Sequence, residues 1–198
     1  LLEKKDIKSL RNVILKALNE KTAAEVIEWE FQLADSIFTD PVLRECAKAN
    51  RVYGMLDATN RPLNKSYLEA ANRIQLPAAR NAILAKNAEL IVLQNKPMTF
   101  TGLRPSSDVA DMSDGEKILR KIIEPYKGKL ILMDIWGTWC GPCKEALSHS
   151  QEEYERLKDF GLVYLYLANN SSDESWKNVI KMYDITGDNV VHYNLPDE

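Results

Sequence analysis

Residues 130–136, Leu-Ile-Leu-Met-Asp-Ile-Trp, make an apolar run of strand length, and four residues further on the chain reads Cys140-Gly141-Pro142-Cys143. Two thiols at that spacing can hold a metal or exchange a disulfide. A buried strand in front and a helical stretch behind, residues 144–158, favour the redox use. A second strand-length run, Leu162-Val163-Tyr164-Leu165-Tyr166-Leu167, follows that helix. Two such strands joined through a helix form a βαβ unit, parallel and right-handed. This part of the chain is therefore of α/β class, with strand 130–136 expected to be fully buried.

The preceding text has another character. Residues 1–95 carry apolar positions at helical spacing and few β-branched alternations, so they read as an all-helical region. Ile7, Leu10, Ile14 and Leu18 share one face. Thr22-Ala-Ala-Glu25 is a capping box opening a helix with Val26, Ile27, Phe31, Ala34 and Phe38. Asp40-Pro41 restarts the chain, with Val42, Cys46, Ala49, Tyr53 and Leu56 as the next stripe. After a break at Thr59-Asn60-Arg61-Pro62, Ser66-Tyr-Leu-Glu69 reads as a further capping box, and residues 77–94 as another helix. Residues 96–113 are rich in Pro, Gly, Ser and Asp, which is linker chemistry. The expected layout is a helical domain over 1–95, a linker over 96–113 and the α/β domain over 114–198. In that last part Ser113 to Glu116 offers a cap for a helix with Ile118, Leu119, Ile122 and Ile123. Ser171-Ser-Asp-Glu174 caps another, and Val190 to Tyr193 is a short extended segment.

Disulfide exchange needs a thiolate near neutral pH, where an ordinary cysteine is mostly protonated. Cys140 opens a helix, so its sulfur lies near unsatisfied N–H groups and the positive end of the helix dipole. Cys143 lies one turn deeper. That assigns Cys140 as attacking nucleophile and Cys143 as resolving thiol. Pro142, with no N–H and a fixed φ, suits the first turn, and with Gly141 stiffens the loop. Asp134 places a carboxylate in an apolar strand. It is either a strand-edge residue satisfied by backbone groups or a desolvated proton acceptor for Cys143. Trp139 flanks the sulfurs and shapes the docking surface, and Trp136 reads as packing under the site.

The balance of 26 basic and 29 acidic residues, well mixed along the chain, leaves no nucleic-acid footprint. No window reaches the roughly 18 uninterrupted apolar residues of a membrane span. Three cysteines leave no disulfide framework beyond the motif pair. A structural zinc would need four ligands, and beyond the motif only Cys46, His149 and His192 are on offer, with no second close pair. Cys46 reads as an inert core thiol on its stripe. A non-catalytic alternative stands beside the enzyme: the helical region as an interaction or scaffold module, with the redox domain appended.

Gly137-Thr138-Trp139-Cys140-Gly141-Pro142-Cys143, behind Met133-Asp134-Ile135-Trp136 and an extra capped helix, resembles the active-site region of the thioredoxin superfamily, in particular its TlpA-like branch. The resemblance runs from about residue 114 onward and is most specific over 129–144. It implies a thiol:disulfide oxidoreductase whose only redox group is the Cys140–Cys143 pair, with no metal and no other cofactor. Gly141-Pro142 between the cysteines goes with reducing members. Asp134 falls where thioredoxins carry their buried aspartate. Partners implied are protein disulfides and an upstream thiol–disulfide electron donor. The implied setting is extracytoplasmic, a bacterial periplasm or cell envelope, in a family whose members are often membrane-anchored; the start inside a helical pattern reads as a processed or excised piece. Two departures follow. The position of the helix-bending proline is Ser148, which puts the kink in question. The only proline after the motif is Pro196, with no strand behind it. The resemblance thus predicts a C-terminally truncated domain lacking the cis-proline hairpin and last helix, with an exposed sheet edge liable to pair with another chain.

Overall fold

The computed structural model describes residues 22–195. The stripe at Ile7 to Leu18 and Pro196 lie outside the described residues. The chain divides into two compact units. The first comprises described residues up to Leu56 together with Pro62–Asn87, and the second comprises Asp57–Arg61 and the chain from Ala88 on.

The first unit is helical. α1 (Ala23–Ile37) starts at Thr22 with the expected reciprocal capping box to Glu25 and buries Ile27, Phe31 and Ala34. α2 (Pro41–Thr59) buries Glu45, Ala49, Val52 and Leu56. Of the expected stripe Ala49 and Leu56 are buried, whereas Val42, Cys46 and Tyr53 are exposed and Glu45 and Val52 take inward positions. The Glu45 carboxylate turns inward to accept from the Gln75 N–H and from Lys48. Cys46 is a surface thiol, not a core one. α3 (Lys65–Arg73) is capped by Asn64, not Ser66, with Asn64 Oδ1 accepting from the Tyr67 N–H at 3.0 Å. α4 (Pro77–Asn95) begins in this unit and continues past Asn87 into the second.

The second unit is an α/β layer structure around a parallel four-stranded sheet in the order β1-β4-β3-β2. The strands are β1 (Leu103–Arg104), β2 (Ile131–Trp136), β3 (Val163–Ala168) and β4 (Val190–Asn194). β1 lies within the stretch that composition marks as linker. Two residues are too short a run to leave a periodic signal. The helices are α5 (Gly115–Ile123), α6 (Gly141–Leu147), α7 (Ser150–Leu157) and α8 (Asp173–Met182). Asp114 and Ser172 are the N-caps of α5 and α8. One face of the sheet packs Trp136, Tyr164, Tyr166 and Ala168 against Leu147, Trp176, Val179 and Ile180. The other packs Leu165, Leu167, Val191 and Tyr193 against Val109 and Ile122.

β2 departs from the expected fully buried strand. Among the described residues it pairs only with β3, so it is an edge strand, and Met133 and Ile135 are exposed. The helix expected over 144–158 is two helices. Ser148 Oγ donates to the Glu145 carbonyl at 2.6 Å, and the His149 N–H reaches back only to Ala146. A serine side chain bonding its own helix backbone and a locally tightened turn break the ladder where no proline stands.

Candidate active site

The motif sits at the carboxyl end of β2, where all four parallel strands point the same way. The Cys140 N–H closes a turn onto the Gly137 carbonyl at 2.9 Å. Cys140 is the N-cap of α6 and is joined to Cys143 by a disulfide. The Cys143 N–H points at Cys140 Sγ from 3.3 Å. That donor is one of the unsatisfied amides of a first helical turn, and it would stabilise a thiolate at the same sulfur. Cys143 also packs against the apolar cluster of Trp136 and Leu147, which is the environment of the inner sulfur. Pro142 occupies the first turn, where its missing N–H leaves no bond unmade.

Trp139 is exposed beside the motif, and Trp136 is buried beneath it. The indole of Trp139 lies over Gly137, so a Cβ there would stand 2.5 Å from its Nε1. A side chain at 137 would push the ring off the motif loop.

Asp134 shares the β2 face of Leu132 and Trp136, the face covered by the helix that carries Cys143. It is half-buried and lines a cavity of about 400 Å³ with Leu147, His149, Glu153 and Tyr166. Burial raises its carboxyl pKa above the ordinary value, and the Ile135 N–H opposes part of that rise. In register, Asp134 lies beside Tyr166, and Tyr166 beside His192. Burial also pushes the Tyr166 phenol up to about 12 while it hydrogen-bonds Tyr154 at 2.9 Å.

A polar net that the sequence did not announce secures the motif loop. The Thr138 N–H donates to Ser171 Oγ at 3.0 Å, whose hydroxyl donates to the Asn169 carbonyl at 2.8 Å. Asn194 Nδ2 donates to the Ser171 carbonyl at 3.1 Å. Asn60 Nδ2 donates to the Thr138 carbonyl at 2.9 Å across a sequence separation of 78. Asn60 carries a φ of 50°, a left-handed conformation asparagine tolerates. The one local signal for it was an asparagine closing a helix before Arg-Pro. Its partner was beyond sequence reading.

The residues weighed for zinc sit apart in kind. His192 is buried with Nε2 against the Ile185 carbonyl at 2.8 Å, and His149 is an exposed helix cap. Among the described residues no group of three or more His, Cys, Asp or Glu is assembled for a metal.

Part of the chain is similar to known proteins. The chain is 35% identical over 81 residues to the thiol-disulfide oxidoreductase ResA of Bacillus thuringiensis subsp. konkukian, covering 41% of this chain and 44% of that protein. It is 30% identical over 94 residues to the ResA of Bacillus subtilis, covering 48% and 51%. Over that share of its length the chain is similar to proteins named thiol-disulfide oxidoreductase ResA, a likeness that supports the thioredoxin-like, TlpA-like reading of the motif. It spans about half the length of these curated relatives. The ResA of Oceanobacillus iheyensis matches at 28% over 64 residues. No protein-family model and no solved structure matches the chain significantly. Among the described residues no helix is long and apolar enough to cross a membrane.

Proposed function

We propose that this chain is a thiol:disulfide oxidoreductase that reduces protein disulfides through Cys140 and Cys143. The observation that carries the reading is the disulfide across the motif, with the Cys143 N–H on Cys140 Sγ and the Cys143 side chain turned to the core. In the reduced protein the Cys140 thiolate attacks one sulfur of a substrate disulfide. A mixed disulfide forms, and one substrate thiolate leaves and takes a proton. Asp134 then accepts the proton of Cys143. The Cys143 thiolate attacks Cys140 Sγ, the Cys140–Cys143 disulfide closes, and the second substrate thiolate leaves and is protonated. Two electrons and two protons pass to the substrate, and an upstream dithiol restores the pair. Exposed Trp139 supplies the apolar surface against which an extended substrate lies. The TlpA-like resemblance sets this exchange outside the cytoplasm, and that setting is part of the proposal.

The test is reduction of insulin disulfides by dithiothreitol-recycled protein. Cys140→Ser is expected to abolish the rate, and Cys143→Ser to accumulate a mixed disulfide on Cys140. Unchanged reduction by Cys140→Ser would refute the proposal.

A further inference from the structure

The five residues Asp57–Arg61 belong to the same compact unit as the sheet, although Pro62–Asn87, which belong to the other unit, follow them in the chain. Two of them grip the dithiol from its two ends. On the upstream side, Asn60 Nδ2 holds the carbonyl of Thr138, two residues before Cys140. Asn60 is itself pinned, because its own carbonyl accepts from Asn178 Nδ2 at 2.9 Å, and both asparagines are buried. With the Thr138 N–H on Ser171 Oγ, both backbone polar groups of that residue are taken, which restrains the loop into Cys140. On the downstream side stands Lys144, the residue after Cys143. Its ammonium is buried and donates to the Asp57 carbonyl at 2.7 Å and to Asp57 Oδ1 at 3.2 Å. The Lys144 N–H closes the first turn onto the Cys140 carbonyl at 3.1 Å.

A buried lysine and a buried asparagine in left-handed conformation are both unfavourable unless partners compensate them. Here every compensating partner either lies in the motif or fixes it. The electrostatic consequence differs between redox states. A Cys140 thiolate needs the Cys143 N–H aimed at it, whereas a closed disulfide keeps the two sulfurs together covalently.

We infer that Asp57–Arg61 is a positioning element for the dithiol: Asn60, acting through the Thr138 carbonyl, and Asp57, acting through Lys144, set the reactivity of Cys140 and the reduction potential of the pair. The inference rests on the disulfide-exchange reading. Asn60 and Lys144 touch neither substrate nor sulfur in it, so they are positioning residues.

The experiment equilibrates the full chain with glutathione redox buffers. It also follows alkylation of Cys140 against pH in a Cys143→Ser background. Asn60→Gly keeps the left-handed backbone and removes only the side-chain donor. It is expected to shift the equilibrium about fivefold toward the disulfide, which is roughly 20 mV more reducing, and to move the alkylation profile to higher pH. Lys144→Gln is expected to act in the same direction. Asp57→Ala, at an exposed side chain and with the backbone carbonyl still accepting from Lys144, is expected to act oppositely by roughly twofold, because it leaves the lysine charge without its carboxylate. Opposite signs are beyond a merely destabilising effect. Should Asn60→Gly or Lys144→Gln fail to fold, the sign of Asp57→Ala decides. Wild-type potential and alkylation profile in the folded variants would overturn the inference while leaving disulfide exchange intact. A wild-type dithiol that does not equilibrate with glutathione would overturn the exchange reading itself.

Discussion

Replacing His192 by phenylalanine tests how the second unit's stability depends on one buried imidazole. His192 is fully buried, stacked on Tyr166 with ring centroids 4.7 Å apart and edge-on to Phe100. Its Nε2 faces the Ile185 carbonyl at 2.8 Å, so that nitrogen carries the proton of the neutral ring. Among the described residues Nδ1 has no partner, and protonating it would create a cation with no acceptor there. Burial accordingly lowers the pKa from 6.5 to about 4. A base with a depressed folded-state pKa contributes stability that is present above the unfolded value and lost as pH falls. The unfolded chain takes up its proton below pH ~6.5, and the folded chain resists until about 4. At about 1.36 kcal/mol per pH unit the full loss is ~3 kcal/mol. Phenylalanine keeps the ring packing and leaves the Ile185 carbonyl without its donor, which costs about 1 kcal/mol at every pH. Urea unfolding followed by tryptophan fluorescence in a Trp29→Phe background reads the right unit, because the other three tryptophans, Trp136, Trp139 and Trp176, all lie in it. The wild type is expected to lose ~3 kcal/mol relative to H192F between pH ~6.5 and ~4. Carboxylates common to both proteins cancel in the difference. Parallel stability curves would refute the reasoning.

Other substitutions probe the remaining links. Asp134→Asn removes a carboxylate whose raised pKa favours the folded state only below its ordinary value, so the gain in Tm should be largest near neutral pH and vanish in acid. The same variant should slow the resolving step, read as longer-lived mixed disulfide in stopped-flow exchange. Leu165, fully buried at the centre of the sheet, should lose about 2–5 kcal/mol as Leu165→Ala in chemical denaturation. Thr22→Ala should remove about 1 kcal/mol of helix-start stability in the first unit, seen as faster amide exchange in the first turn of α1.

Sequence carried the motif well because its information is local. Cys140, Pro142 and Cys143 lie in one turn, and a period-free apolar run before them reads as strand whatever the sheet becomes. It carried less wherever a neighbour distant in the chain decides the outcome. Leu130 to Trp136 reads as a central strand by composition, yet exposure of Met133 and Ile135 depends on which strands flank it. Cys46 reads as core by spacing, yet it is exposed, and the inward place beside it is held by Glu45, whose acceptor role depends on Gln75, thirty positions away. Asn60 illustrates the limit best. As a residue it announces only a helix end, and its meaning comes from a carbonyl 78 positions away.

The redox unit is discontinuous in sequence, since Asp57–Arg61 and the chain from Ala88 on form one body while Pro62–Asn87 belong to another. No single cut therefore yields a complete version of it. A fragment begun in the glycine- and proline-rich stretch near residue 100 would retain both cysteines, Asp134 and the whole sheet. It would leave behind the donor on Thr138 and the acceptor for Lys144. The same discontinuity bears on how such a protein can diverge: transplanting the motif segment into another chain would carry over the chemistry without its calibration. In this architecture the sulfurs are portable, and their setting is inherited only with the helical preface.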